Sequence, residues 1–218
     1  FALVDGGPTV TTVATPTGSL SVNANGVWTF TPSNSFDHDA PGANLSAGSF
    51  TYILEDADGS LSNEGSQAIT VTDTNPVSTG ASMSLNEADL PSGSAVGVNN
   101  PTATQLLDIV KGEDNIADVA FTAATLAGLP DLSSNGSDLF YSLSSDDHIL
   151  TARIGSTSGA IAFVLTLNNT NDTSGLTQSL TATLHAPIDQ PSAVLSLLNV
   201  SYVVSDIDST ITGTAVIV

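Results

Sequence analysis

Two short acidic clusters stand at matching places in the chain. Asp56 and Asp58 follow the run Phe50-Thr-Tyr-Ile-Leu-Glu, and Asp206 and Asp208 follow Val200-Ser-Tyr-Val-Val-Ser. In both cases a strand-like segment leads into Asp-x-Asp, a short turn and a further strand-like segment, which makes an internal repeat. Carboxylates offer only oxygen, and two of them one residue apart in a tight loop can reach the same point. The chemistry this suits is that of a hard divalent cation, above all Ca²⁺, which takes six to eight oxygen ligands at about 2.3–2.6 Å. A lone Asp-x-Asp in a loop is ordinarily a solvated turn, because aspartate bonds readily to its own backbone. Two copies at equivalent positions weigh against that reading. Neither is an EF-hand, since Gly59 stands at the fourth loop position rather than the sixth and no Glu stands at the twelfth. The glycine-rich nonapeptide that winds calcium β-rolls is absent as well.

The charge balance points the same way. The 218 residues hold 22 Asp plus Glu against two cations, Lys111 and Arg153, for a formal net charge of −20. Phosphate binding needs clustered Lys and Arg, so nucleic acid is excluded as a partner and an anionic membrane surface with it. Two cations cannot pair 22 carboxylates. Either the acids repel one another in water or an ion from solution neutralises them. Cysteine is absent, which removes disulfides and thiolate metal sites. No run reaches about 18 apolar residues, so no membrane-spanning helix is expected.

Elements must hold these loops in place, and the pattern for them is strand upon strand. Apolar residues alternate with Thr and Ser over 9–15, 19–24, 27–31, 50–54 and 67–72, with Asn25-Gly26 as a hairpin signal between two of the runs. Further strands are expected at 81–85, 116–123, 139–143, 149–154, 161–167, 180–185, 197–204 and 210–218. Residues 104–111 carry the one helical pattern, although Ile109-Val110 suits a strand equally. Asp73-Thr-Asn-Pro76 reads as a linker. The expected fold is all-β: two tandem immunoglobulin- or cadherin-like antiparallel β-sandwiches, residues 1–75 and 76–218. Phe1 and Val218 both sit in apolar strand-like runs, so the chain is expected to be an excised part of something longer.

In such a sandwich the first and last strands run the same way and the penultimate one runs back. The loop between the last two strands then lies beside the preceding linker. That geometry predicts a metal site in which Asp206 and Asp208 join Asp73 and Asn75 of the linker and Glu87 after the first strand of the second domain. The same logic sets Asp56 and Asp58 beside Asp5. Other acids (Asp37-His38-Asp39, Glu113-Asp114, Asp146-Asp147, and those within 168–172) read as exposed loops, and Asp131 and Asp138 flank a turn.

A family resemblance enters on these residues. The run from Gly18 through Asn25-Gly26-Val-Trp28 to Pro32, with the Asp56–Asp58 strand pair and Asp73-Thr-Asn-Pro76, resembles the cadherin-like, VCBS-type repeats of giant bacterial RTX adhesins. The second segment resembles the repeat of roughly 143 residues in type I secretion substrates of that class. Its matching pieces are Leu85-Asn-Glu87-Ala-Asp89-Leu-Pro91, Leu184-His-Ala-Pro-Ile-Asp189-Gln-Pro191 and the run from Tyr202 to Asp208. The resemblance implies a secreted, extracellular segment on the bacterial cell surface, stiffened by calcium and linked to biofilm and adhesion. Ser60 and Ser209 depart from the family's usual Asp-Ala-Asp-Gly-Asp, which implies fewer ligands per loop. The first domain is short, with five clear strands.

Catalysis is not expected. Gly155-Ser-Thr-Ser-Gly159 has the wrong spacing for a nucleophile elbow and reads as a hairpin turn. His38, His148 and His185 are far apart and lack metal-ligand spacing. Trp28 and the few tyrosines fall within strand alternation and read as core, leaving no platform for sugar rings. Three functions compete. The leading one is a calcium-stiffened extender whose partners are neighbouring domains of the same long chain and which is expected to be monomeric. A second is a calcium-dependent module binding a host glycan or peptide, with residues 92–111 as its surface. The third needs no metal: an acidic surface for solubility in very salty surroundings.

Overall fold

The computed structural model describes residues 2–3, 12–22, 27–33, 44–56, 58–72, 74–95, 101–112, 114–168, 178–189 and 198–218. The chain divides into two compact units, Phe1–Thr74 and Asn75–Val218. Both are built from strands, and the expected class, all-β with tandem sandwiches, holds.

The first unit has two three-stranded sheets. One contains β1 (Ala2–Leu3), β5 (Asn44–Ile53) and β6 (Gly65–Thr72); the other contains β2 (Thr12–Thr15), β3 (Gly18–Val22) and β4 (Trp28–Pro32). All their pairings are antiparallel. Leu20, Ala47 and Ile69 are buried between them, and Val22, Phe30, Phe50 and Val71 pack around that nucleus half-buried. The Thr17 hydroxyl ties the sheets by donating to Ala47 O at 2.7 Å. Trp28 is not core. It is 38 % exposed and meets Phe50 edge-on at 5.5 Å. Alternation assigns Trp28 to a face, but with so few residues on the opposite sheet that face is only partly covered.

The second unit opens with β7 (Val77–Ser78) and β8 (Ala81–Met83), then a 3₁₀ turn at Glu87–Asp89, β9 (Thr102–Leu106), β10 (Ile109–Val110) and β11 (Asp118–Ala120). After helix α1 (Ala123–Ala127) come β12 (Ser133–Ser134), β13 (Ser137–Leu143), β14 (Ile149–Ile154) and β15 (Ile161–Asn168). Then follow β16 (Ser179–Leu184), β17 (Leu198–Ser205) and β18 (Thr210–Ile217). A six-stranded sheet in the order β12-β13-β14-β15-β16-β9 faces a four-stranded sheet, β11-β17-β18-β8. Strand β15 shows why they pack: Ala162, Phe163, Leu165 and Leu167 point inward and are buried, while Val164 and Thr166 between them are half-exposed. Val200, Tyr202, Val204, Ala215 and Ile217 meet them from the other sheet.

Within 104–111 the strand alternative holds: β9 ends at Leu106 and β10 is Ile109–Val110, with exposed Leu106 and Asp108 alternating with buried Leu107 and Ile109. The α-helix among the described residues lies instead at Ala123–Ala127, where strand 116–123 was expected to be ending. Its start is set by Thr122, whose hydroxyl accepts from Thr125 N while the Thr125 hydroxyl accepts from Thr122 N, a reciprocal cap. Thr125 also donates to Ser201 O at 2.9 Å and anchors the turn on β17.

Candidate cation-binding loops

Strand β18 fixes the geometry of the second unit. It pairs antiparallel with β17 through eight residues, from Leu198↔Ile217 to Ser205↔Thr210, and parallel with β8 from Ala215↔Ala81 to Ile217↔Met83. The turn 206–209 therefore sits where β18 begins. Chain 78–80 runs beside the middle of the β17–β18 pair: Ser78 Oγ lies 2.7 Å from the Tyr202 hydroxyl, and Gly80 stands against Thr214 O. Asn75, three residues before Ser78, is exposed. The segment 111–117 returns to the 206–209 turn, since Ala117 N donates to Ser205 O at 2.8 Å. It brings Asp114, whose Oδ2 is closed off from water. Asp114, expected in an exposed loop, is half-buried.

Glu87 is not at this end. It comes after β8, beyond Val218, which exchanges backbone bonds with Met83 and Leu85 at the far end of β18. Eight residues of strand at about 3.3 Å each put roughly 25 Å between that end and the Asp206 turn. One ion cannot bridge the gap. The reason is the parallel β8–β18 pair, which carries residues following β8 away from the loop that precedes β18. Glu87 instead accepts from Ile188 N at 2.7 Å through Oε1 and pins the 185–189 segment. Beside it Leu85, Phe163, Leu184, Leu198 and Ile217 line a small apolar cavity of about 30 Å³. Asp5 and Asp73 lie outside the described residues.

The two Asp-x-Asp loops share one design. Asp56 Oδ1 accepts from Asp58 N at 3.0 Å and Ser60 N at 2.9 Å, and Asp56 N donates to Ser60 O. Asp206 Oδ1 accepts from Asp208 N at 3.2 Å and Ser209 N at 2.6 Å, its Oδ2 accepts from the Ser209 hydroxyl at 2.9 Å, and its N donates to Ser209 O. The first aspartate of each pair closes the turn. There the copies diverge. Asp58 is exposed, whereas both carboxylate oxygens of Asp208 are closed off from water and Asp206 is 8 % exposed. Among the described residues no three His, Cys, Asp or Glu side chains converge on one point. Of the two cations, Lys111 Nζ donates to Asn115 Oδ1 at 3.1 Å within segment 111–117, and Arg153 Nη1 donates to Gly159 O at 2.9 Å.

A cross-strand pair stands behind each loop. Tyr202 faces Gly213 and Tyr52 faces Gly65, each tyrosine four residues before its first aspartate. A Cβ on Gly213 would lie 2.3 Å from Tyr202 Cζ, so the ring lies flat over a residue that has to be glycine. At Gly65 the matching approach to Tyr52 is 2.7 Å. Sequence reasoning had the tyrosines in its repeat and missed the glycines, because register pairs them across the hairpin.

Of the histidines, His148 Nε2 lies 2.8 Å from Asp118 Oδ1 and its Nδ1 3.5 Å from Asp146 Oδ2, a contact that links β11 to the β13–β14 turn. His185 is exposed and His38 lies outside the described residues. The Ser144 hydroxyl and the His148 amide hold Asp146 below the usual carboxylate range. Burial pushes Tyr141 up to about 12 and raises Tyr202 as well.

Both units belong to the class of all-β sandwich modules. Residues 2–72, about a third of the chain, match the family model described as the bacterial Ig domain. Domains of that family are structural modules usually carried by surface proteins. No curated protein and no solved structure matches the chain. Among the described residues no helix is long and apolar enough to cross a membrane.

Proposed function

We propose that this chain is a calcium-stiffened extender segment of a large bacterial surface adhesin of the RTX, type I secreted class, holding a ligand-binding domain away from the cell. The observation that carries the reading is the pair of Asp-x-Asp turns, each closed by its first aspartate through the same backbone bonds, in a chain with 22 acids against two cations. In a chain of net charge −20, a cation from solution is the available counter-charge. The donor set is all oxygen, which suits calcium. Asp206, Asp208 and Asn75 would hold the ion in the second unit, and Asp56 and Asp58 in the first. Calcium there supplies positive charge and ties the turn to the incoming chain, so the end of the unit stiffens.

Calorimetric titration with calcium tests this. Saturable binding is expected, with a rise in Tm that EDTA reverses. Replacing Asp208→Asn should remove one binding event and leave any first-unit event intact. Unchanged melting and unchanged solution dimensions in EDTA would sink the proposal.

A further inference from the structure

Asn135 and Gly136 form the turn between β12 and β13, with φ of 50° and 76°. Both residues are in the left-handed region, and their neighbours Ser134 and Ser137 pair across the hairpin, as in a two-residue primed turn. Asn-Gly is also the dipeptide most prone to spontaneous deamidation. The Gly136 amide nitrogen loses its proton to hydroxide and attacks Asn135 Cγ. A new C–N bond closes a succinimide, and the Cγ–Nδ2 bond breaks to release ammonia. Water then opens the ring to aspartate or isoaspartate. Both residues are exposed to that water.

The nitrogen that must attack is held by a residue far away in sequence. Gly136 N donates to Asp189 Oδ2 at 2.7 Å, Asn135 N donates to Asp189 Oδ1 at 3.0 Å, and the Ser133 hydroxyl donates to Asp189 Oδ2 at 2.7 Å. Asp189 N in turn donates to Ser133 O at 2.8 Å. We propose that Asp189 guards Asn135-Gly136 against deamidation. A carboxylate bonded to the Gly136 N–H opposes loss of that proton, because the amide anion would face a negative charge at close range. Binding both turn amides to one carboxylate also fixes the turn, so the nitrogen cannot swing toward Asn135 Cγ. The three donors keep Asp189 ionised, its pKa held below the usual carboxylate range chiefly by the Gly136 amide. Deamidation would set a second carboxylate against Asp189 and loosen the hairpin. For a protein that persists outside the cell, slow loss at this turn lengthens useful life.

The test is peptide mapping by mass spectrometry after incubation at mildly alkaline pH and 37 °C. Native protein should form isoaspartate at Asn135 at least several-fold more slowly than the same chain unfolded in urea. Asp189→Ala should raise the rate in folded protein several-fold, with folding checked by circular dichroism. Asp189→Asn keeps the volume and removes the charge; it should accelerate the reaction too. Equal rates in folded and urea-unfolded native protein overturn the proposal, and so does a folded Asp189→Asn protein that deamidates no faster. Should Asp189→Ala fail to fold, the Asp189→Asn and urea comparisons still decide.

Discussion

The 56–60 and 206–209 hairpins both run Asp-x-Asp to a closing Ser, the first with an extra Gly59, yet one stands in water and the other is sunk into its unit. Both close on the first aspartate, and both lay a tyrosine over a glycine on the following strand. Tyr202 is fully buried and its hydroxyl reaches Ser78 Oγ and Leu107 O. Tyr52 is only half-buried and leans on Phe50 at 6.2 Å. The difference lies in what covers the hairpin. In the second unit chain 78–80 and segment 107–117 pack against it, and the core behind runs through both sheets. In the first, three buried residues form the nucleus. The same local motif thus has different energetic weight according to the surroundings that tertiary structure supplies.

Substitutions at paired positions should sharpen or break that contrast. The largest effect is expected at the tyrosines. Tyr202→Ala empties a fully packed site and should cost about 3–5 kcal/mol, the range for aromatic truncation in a core. Tyr52→Ala should cost clearly less, and urea unfolding of each variant measures both; equal losses would erase the distinction. Next come the glycines. Gly213→Ala forces a methyl into a ring that cannot move aside, an overpacking cost of about 1–3 kcal/mol. Gly65→Ala meets a ring with water on one side and should be milder, a difference visible in Tm.

The turn-closing aspartates rank third. Asp206→Ala removes the acceptor that closes a buried turn. The exposed Asp56 makes the same turn and should matter less. Fluorescence-monitored melting resolves the pair.

The smallest effects are those of pH, and they fall on the second unit. Asp189 and Asp146 have lowered pKa values, so the stability they lend is present above the ordinary carboxylate pKa and lost as pH falls through their folded values. A shallow drop in Tm in acid is expected, shallower still in Asp189→Asn. Tyr141 moves the other way. Its folded pKa of about 12 lies above 10.0, so its contribution is intact below pH 10 and fades as pH rises toward 12. Absorbance titration should find a tyrosine that ionises only near pH 12.

Much of the fold was legible along the chain. Strands β14 and β15 and the last two strands follow directly from period-two alternation, because each has one face against a core and one against solvent. The repeated loops were legible too, since a turn-closing aspartate bonds within its own few residues. What failed has a common cause. Glu87 was grouped with Asp206 and Asp208 by nearness to the start of the domain, yet the parallel run of β8 beside β18 carries it to the other end. Trp28 looked like core because alternation names a face without saying how much lies over it.

The sequence by itself determined the strand class, the excess of carboxylates and the positions of the two Asp-x-Asp turns, all properties set by neighbours a few residues apart. Tertiary structure alone decided which acids share an end, how deeply Asp208 is sunk, and that Asp189 reaches back across 53 residues to Gly136. Those depend on strand register and direction. Register is fixed by packing two whole faces against each other, and no short window of residues contains that sum.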